Sequence, residues 1–126
     1  MNLDFLSPVK ESVLAHSVLH SSDSFGNQIS IHNEQDGLPD LEGVQLAIFG
    51  VQEDRNSQDN FGCGENLHLI RKKLYSLFPG KWHTKIADLG NVQKGNTVED
   101  TYFAVSEIIK SLLKENIIPV IIGGGQ

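Results

Sequence analysis

The sequence contains only one cysteine, Cys63, so the chain cannot form an internal disulfide. Basic residues are also scarce, because ten Lys and Arg stand against sixteen Asp and Glu, which gives a formal net charge of −6. This balance argues against a surface that binds nucleic acid. No stretch resembles a signal peptide or a membrane span. These absences predict a cytoplasmic protein that binds neither nucleic acid nor membrane.

The chain does contain enough apolar sequence to build a core. Of its 126 residues, 39% are apolar and 21% are charged, which suits one modest domain. Residues 21–43 are rich in Ser, Asp, Asn and Gly, and only residues 28–32 read as a possible short strand. We predict that this segment is an arm over the surface. The organisation expected is a helix and polar arm over residues 1–40, followed by an α/β portion over residues 41–126.

A helix is predicted from Ser7, as its N-cap, to about His20, with Pro8 in the first turn. His16 and His20 are four residues apart, so this helix would place both on one face. A metal-binding pair is one interpretation. Ser17 stands where the H-E-x-x-H zinc motif requires Glu, so two surface histidines are the favoured interpretation.

Three segments are predicted to form strands. Residues 44–51 and 117–122 are nearly continuous apolar runs, which is typical of strands buried on both faces of a parallel sheet. Residues 82–88 form the third predicted strand, and its last residue, Asp88, is expected to cap a turn, although a functional role stays open.

Two amphipathic helices are predicted between these strands. The first has its apolar stripe at Leu67, Ile70, Leu74 and Leu77. The second begins with a capping box at Thr97–Asp100 and ends near Asn116 as a left-handed cap. Its stripe lies at Val98, Tyr102, Val105, Ile109 and Leu112, widened by Ile108 and Leu113. The order is βαβαβ, and right-handed crossovers would make the strands parallel. We therefore predict an α/β protein, half of a three-layer α/β/α sandwich around a parallel sheet.

The polar loop after the first strand matches two ligand-binding motifs only in part. Asp54, Asn56, Gln58 and Glu65 have the spacing of an EF-hand calcium loop, but Asp59 occupies the position that requires Gly. Gly62 and Gly64 begin a dinucleotide-binding fingerprint, but Leu67 stands at the third glycine position. Neither calcium nor a dinucleotide is expected here.

The last predicted strand is followed by Gly123, Gly124 and Gly125. Glycines permit a tight turn and a close approach of the backbone to a ligand. Ligands of open α/β sheets collect at the carboxyl ends of the strands. A P-loop is excluded, because the Lys-Ser/Thr that completes it is absent. The glycines are therefore either a simple strand exit or part of a binding site.

Three stretches together resemble the ureohydrolase family, which includes arginase, agmatinase and formiminoglutamase. Ile-Pro-Val-Ile-Ile-Gly-Gly-Gly-Gln, residues 118–126, is similar to the family's strand and turn that precede a metal-binding His, and Gln126 occupies the position of that His. Residues 49–55, Phe-Gly-Val-Gln-Glu-Asp-Arg, with Asn60-Phe61-Gly62 and Leu69-Ile70-Arg71 resemble its first loop and helix. Glu-Asp-Arg is closest to the formiminoglutamase-like branch, and residues 87–91 resemble the family's Asp-Leu-Gly-Asp turn.

The resemblance implies a partial arginase/deacetylase-like fold over residues 41–126. For an intact relative it implies manganese-dependent hydrolysis of a guanidino or formimino C–N bond in a small-molecule substrate. The site residues it indicates are Gln126 as a metal position and, as loop candidates, Glu53, Asp54, Arg55, Asn60, Gly123, Gly124 and Gly125. The other interpretation of Glu53, Asp54 and Arg55 is a solvated loop with a local ion pair.

The family's Asp-x-His-x-Asp motif and its later Asp-rich motif do not occur in these residues. We therefore expect an N-terminal fragment of such a hydrolase that is inactive alone, has no assigned catalytic residue and holds no Mn²⁺ tightly. A non-catalytic interaction or regulatory module with the same fold is the alternative. Because the last strand lacks a later neighbour in this sequence, its open edge predicts a homo-oligomer.

Overall fold

A computed structural model of the chain describes residues 3–55 and 66–123. Its helices are α1 (Glu11–Ser17), α2 (Phe25–Gln28), α3 (Leu67–Tyr75) and α4 (Val98–Lys114). Its strands are β1 (Leu6–Ser7), β2 (Ser30–Ile31), β3 (Leu46–Val51), β4 (Ile86–Val92) and β5 (Ile118–Ile122). The candidate residues Asn60, Gly124, Gly125 and Gln126 lie outside the described residues.

The strands form one mostly parallel sheet in the order β1-β4-β3-β5, and β2 also pairs with β4. β3 is parallel to both β4 and β5, whereas β1 is antiparallel to β4. The predicted βαβαβ order and mixed α/β class are therefore confirmed. β3 is central, as its apolar sequence predicted, and its residues from Ala47 to Val51 are buried.

Helices cover both faces of the sheet. On one face α4 packs on β3 and β4 through an apolar cluster that includes Phe49, Leu89, Ile108 and Leu112. On the other face α1 and α3 meet in a second cluster built on Val9, Val13 and Tyr75. The connection from β3 to β4 therefore crosses one face, and the connection from β4 to β5 crosses the other.

The N-terminal segment differs from its prediction. The helix begins at Glu11 instead of following a Ser7 cap, because Leu6 and Ser7 pair with Val92 and Asn91 of β4. The expected surface arm, residues 21–43, contains α2 and β2 and buries Ser24 and His32. The arm prediction is wrong for these residues, while the short strand expected within residues 28–32 is confirmed as β2.

The third predicted strand is shifted along the chain. It was expected over residues 82–88, but β4 runs from Ile86 to Val92. Asp88 consequently lies inside a strand. Its buried carboxylate accepts from the Gly90 N–H at 3.1 Å, as a capping residue would, and is also paired with Arg71. At Gly90 the backbone has a φ of +90°, and a side chain there would collide with the carbonyl oxygen of Ser7.

The caps of α4 are confirmed, and its predicted stripe is confirmed at Ile108 and Leu112 but not at Tyr102. Thr97 Oγ1 accepts from the Asp100 N–H at 3.1 Å, and Asp100 Oδ2 accepts from the Thr97 N–H at 3.2 Å. Asn116 has the expected left-handed φ of 57°. The buried residues are Thr101, Ala104, Ile108 and Leu112, whereas Tyr102 is exposed. Small Thr and Ala side chains let the helix lie close to the sheet.

Two other burial predictions are corrected. On α3 the buried residues are Leu67, Arg71 and Tyr75, whereas Ile70 and Leu77 of the predicted stripe are exposed. β5 was expected to be buried on both faces, but Ile118 keeps 59% of its surface exposed. This exposure follows from the position of β5 at the edge of the sheet, where α4 covers it only in part.

Candidate functional site at the carboxyl ends of the strands

The carboxyl ends of β3 and β5 lie side by side. The two strands are parallel, and Gly50 near the end of β3 is opposite Ile122, the last residue of β5. Because the connections that involve these strands run on opposite faces of the sheet, this is the point at which strand order reverses. Crevices that bind ligands form at such points in open α/β sheets. The sequence candidates Glu53, Asp54, Arg55 and Gly123 follow these two strand ends.

Glu53 is completely buried and receives four hydrogen bonds. Arg55 donates to it from Nε at 2.8 Å, from Nη2 at 2.6 Å and from the backbone N–H at 3.0 Å. The Thr101 hydroxyl of α4 donates to Oε1 at 2.8 Å. These bonds, chiefly those of the Arg55 side chain, lower the pKa of Glu53 from 4.5 to about 2 despite the opposing effect of burial. Glu53 is therefore a buried carboxylate.

Arg55 joins the loop after β3 to the loop before α4. Besides Glu53, its guanidinium donates to the carbonyl oxygens of Gly95 at 3.0 Å and Asn96 at 3.2 Å. Thr101 completes the connection, because its hydroxyl accepts from the Gly95 N–H at 2.8 Å. Glu53, Arg55 and Thr101 thus fix the relative positions of two loops at the carboxyl edge.

Asp54 is also buried, with 2% of its side chain exposed, and Lys94 Nζ lies 2.6 Å from its Oδ1. Both carboxylates of the loop are consequently paired with a cation. The interpretation of Glu53, Asp54 and Arg55 as a solvated loop is wrong, since only Arg55 keeps about a third of its side chain, 34%, exposed. The local ion pair between Glu53 and Arg55 is present, but one partner is in the interior.

Gly123 borders open space beside this loop. It is exposed, and a Cβ built on it would meet no heavy atom within 4 Å. Across residues 3–55 and 66–123, no group of three or more His, Cys, Asp or Glu side chains could hold a metal ion. The described part of the site is therefore two ion pairs with buried carboxylates and partly exposed cations, at the same edge of the sheet as the exposed Gly123.

A second buried polar cluster, which the sequence interpretation missed, lies between α3 and β4. Arg71 donates to both oxygens of Asp88, to Asn91 Oδ1 at 2.6 Å and to the Gly90 carbonyl at 2.9 Å. The Tyr75 hydroxyl donates to Asp88 at 2.5 Å, and burial together with the Asp88 charge raises the pKa of Tyr75. The sequence contains one signal of this cluster. Leu67, Arg71 and Tyr75 are spaced four residues apart, which puts all three on one helix face.

An apolar groove of about 760 Å³ lies at the opposite end of the sheet. It is lined by the first residues of β3 and β4, Leu46 and Ile86, and by Phe25, Phe78 and Trp82. None of the sequence-predicted site residues lines it. The groove is therefore separate from the ion pairs at the carboxyl edge.

Comparisons of the chain with protein-family models, with curated proteins and with solved structures found no match. Among the described residues, no helix combines the length and the apolar character needed to cross a membrane. The functional argument consequently depends on the sequence motifs and on the geometry of the carboxyl edge.

Proposed function

We propose that the chain is the N-terminal part of a cytoplasmic ureohydrolase-type enzyme that hydrolyses a guanidino or formimino C–N bond, similar to the formiminoglutamase branch. One observation supports the proposal: the Glu-Asp-Arg loop and Gly123, which belong to two of the resembling stretches, follow neighbouring parallel strands at the same edge of the sheet. Stretches that lie 70 residues apart in the sequence thus start from one edge, which is where a shared site would lie.

The buried ion pairs give these residues a specific role in the proposal. Glu53 and Arg55 hold the loop after β3 against Gly95 and Thr101. Lys94 holds Asp54 from the same neighbouring loop. Rigid loops at a strand-order reversal position a substrate and exclude water from it. In this proposal Glu53, Asp54 and Arg55 are positioning residues, and none of them is assigned to the chemical step.

Manganese, which the family resemblance implies, does not fit the described residues. The carboxylates of Glu53 and Asp54 are paired with Arg55 and Lys94, and the described ranges contain no ligand cluster. A pair of Mn²⁺ ions would therefore require ligands from elsewhere, and no reaction step is assigned to a metal here. Gln126, at the position of the family's His, lies outside the described residues. As a neutral amide it would be a weaker ligand than imidazole.

A non-catalytic module with the same fold is the second candidate. It is favoured by the same ion pairs, because carboxylates that are bound to Arg and Lys side chains are not free to hold a metal ion. In that case the carboxyl edge would serve a binding or regulatory function, and the protein would keep the fold without the hydrolase activity. The two candidates differ in one measurable property, the manganese-dependent release of product.

The test compares residues 1–126 with a protein whose natural reading frame continues past Gln126. Each is incubated with Mn²⁺ and arginine, agmatine or formiminoglutamate, and urea, ammonia or formamide is measured. We expect no product above a metal-only blank from residues 1–126 and product from the longer protein. Product from neither protein would overturn the hydrolase proposal in favour of the module. Product from residues 1–126 alone would refute the requirement for further ligands.

A Gln126→His variant of the longer protein examines the metal position separately. If Gln126 belongs to the metal site, manganese content measured by elemental analysis should rise in the variant, because imidazole is the better ligand. Unchanged metal content would place Gln126 outside the coordination shell.

A further inference from the structure

His16 and His20 face each other at the end of α1. His20 Nε2 lies 3.4 Å from His16 Nδ1, the ring centroids are 4.9 Å apart, and the ring planes meet at 72°. Backbone hydrogen bonds hold this arrangement beyond Ser17, the last residue of α1. The N–H of Leu19 donates to the His16 carbonyl at 3.2 Å, and that of His20 donates to the Ser17 carbonyl at 3.0 Å. The two nitrogens are therefore held on one side of the same turn.

The spacing of these nitrogens is long for a hydrogen bond but suits two ligands of one metal ion. Hydrogen bonds from N–H groups typically span about 2.7–3.2 Å between heavy atoms. A metal ion about 2.05 Å from two nitrogens, with a tetrahedral angle between them, separates those nitrogens by about 3.3–3.4 Å. The observed 3.4 Å matches this tetrahedral value, which suits Zn²⁺. The square-planar angle that Cu²⁺ and Ni²⁺ prefer separates the two nitrogens by about 2.9 Å, so the rings would approach each other by about 0.5 Å on those ions. Neither ring has to move far to bind an ion.

We propose that His16 Nδ1 and His20 Nε2 form a two-nitrogen site for a late first-row divalent metal ion such as Cu²⁺, Ni²⁺ or Zn²⁺. Imidazole is a preferred ligand for these ions, and the Irving–Williams order places Cu²⁺ above Ni²⁺ and Mn²⁺ lowest. Both rings are partly exposed, so water can complete the coordination shell. The site is distinct from the proposed ureohydrolase centre in position, ligands and preferred metal.

Binding requires a lone pair on both facing nitrogens. On binding, a ring whose proton sits on the facing nitrogen takes the tautomer with the proton on its other nitrogen, which lies away from the ion. A neutral pair therefore binds the metal ion without net release of a proton, and each ring keeps one N–H.

The site is tested by calorimetric titration of the full chain with Cu²⁺, in a Cys63→Ser background that removes the single competing thiol. We expect His16→Ala and His20→Ala each to weaken binding at least tenfold. His83→Ala, at an exposed histidine outside the pair, should leave the affinity within twofold. Ala15→His combined with His16→Ala keeps the number of histidines but moves one off the shared face, so it should bind as weakly as His16→Ala.

Electron paramagnetic resonance of the Cys63→Ser chain with one equivalent of Cu²⁺ provides a second test without any histidine substitution. Two coupled imidazole nitrogens are expected. Circular dichroism confirms that each variant is folded. An affinity unchanged by either His16→Ala or His20→Ala, an equal loss in His83→Ala, or a single coupled nitrogen would overturn the proposal.

Discussion

Arg71 on α3 donates from Nε and Nη2 to the two carboxylate oxygens of Asp88 on β4, at 2.8 and 2.9 Å. Both side chains are buried, with 1% and 0% of their surface exposed. Removal of one partner from such a pair leaves an uncompensated charge in the interior. Arg71→Met should therefore lower the free energy of unfolding by about 3–5 kcal/mol, measured by urea denaturation.

Lys73→Met is the matched control for this substitution, because Lys73 is exposed on the same helix and should change stability by less than about 0.5 kcal/mol. Arg71→Met combined with Asp88→Asn removes both charges and should recover part of the loss. If Arg71→Met were no more destabilising than Lys73→Met, the buried pair would not be present in solution.

Glu53 should make stability depend on pH in the acid range. Its folded-state pKa of about 2 lies below its ordinary value of 4.5 because Arg55 stabilises the charged form. The unfolded chain therefore takes up this proton first as pH falls. The contribution of Glu53 is fully present above about pH 4.5 and is lost as pH falls toward 2. Glu53→Gln should flatten the decline in unfolding free energy measured between pH 5 and pH 2.5.

Glu34→Gln, at an exposed carboxylate, is the control for Glu53→Gln and should leave the slope of stability against pH nearly unchanged. The comparison cancels the contributions of all other acidic groups. Equal slopes for Glu53→Gln and the unsubstituted chain would show that the Glu53–Arg55 pair does not persist in solution.

Thr101 should be sensitive to loss of its hydroxyl and tolerant of loss of its methyl group. The hydroxyl donates to Glu53 and accepts from the Gly95 N–H, both at 2.8 Å. Thr101→Val preserves the shape of the side chain but removes one hydrogen-bond partner from the Glu53 carboxylate and from the Gly95 N–H. It should therefore lower the free energy of unfolding by about 1–3 kcal/mol. Thr101→Ser keeps the hydroxyl and should cost less. If Thr101→Ser lowered the free energy of unfolding more than Thr101→Val, Thr101 would contribute mainly through packing.

The free edge of β5 should cause self-association. The Ile118 N–H donates to the Gln45 carbonyl at 2.9 Å, so by alternation the Pro119 carbonyl and the N–H and carbonyl of Ile121 face away from β3. Light scattering at micromolar concentration should give a mass above the 13.9 kDa of one chain. Ile121→Lys should lower this mass because a charge on an edge strand opposes pairing, whereas Leu19→Lys, at an exposed residue just after α1, should not.

A stable monomer of the unsubstituted chain would contradict this prediction. The N-terminal segment cannot be the element that covers the free edge in the described structure, because β1 and β2 both pair with β4, on the other side of β3. Another part of the chain would then have to cover the edge of β5.

Features that depend on short sequence distances were predictable. The Thr97–Asp100 capping box, the left-handed Asn116 and the apolar run of β3 each follow from adjacent residues, and the structure contains all three. The alternation of helices and strands followed from them. Local chemistry was sufficient because each of these features is satisfied within one element or its ends.

Features that depend on a partner distant in sequence were not predictable. The sequence analysis named Arg71 only as part of a resembling stretch and interpreted Asp88 as a turn residue. Neither local sequence shows that the two side chains form an ion pair with each other. The predicted stripe of α4 correctly included Ile108 and Leu112, but it missed Ala104 and included the exposed Tyr102. The helix has apolar residues on more than one face, and only the sheet selects between them. The burial of Glu53 likewise requires Thr101, 48 residues away.

The pairing of β1 with β4 has a consequence for biosynthesis. Leu6 and Ser7 are synthesised more than 80 residues before their partners Val92 and Asn91. At a synthesis rate of about 5–20 residues per second, β1 stays unpaired for several seconds before β4 is made. A nascent chain should therefore remain open to proteases at this end until β4 has left the exit tunnel. Ser7 then packs against Gly90, which has no side chain that would collide with the Ser7 carbonyl oxygen.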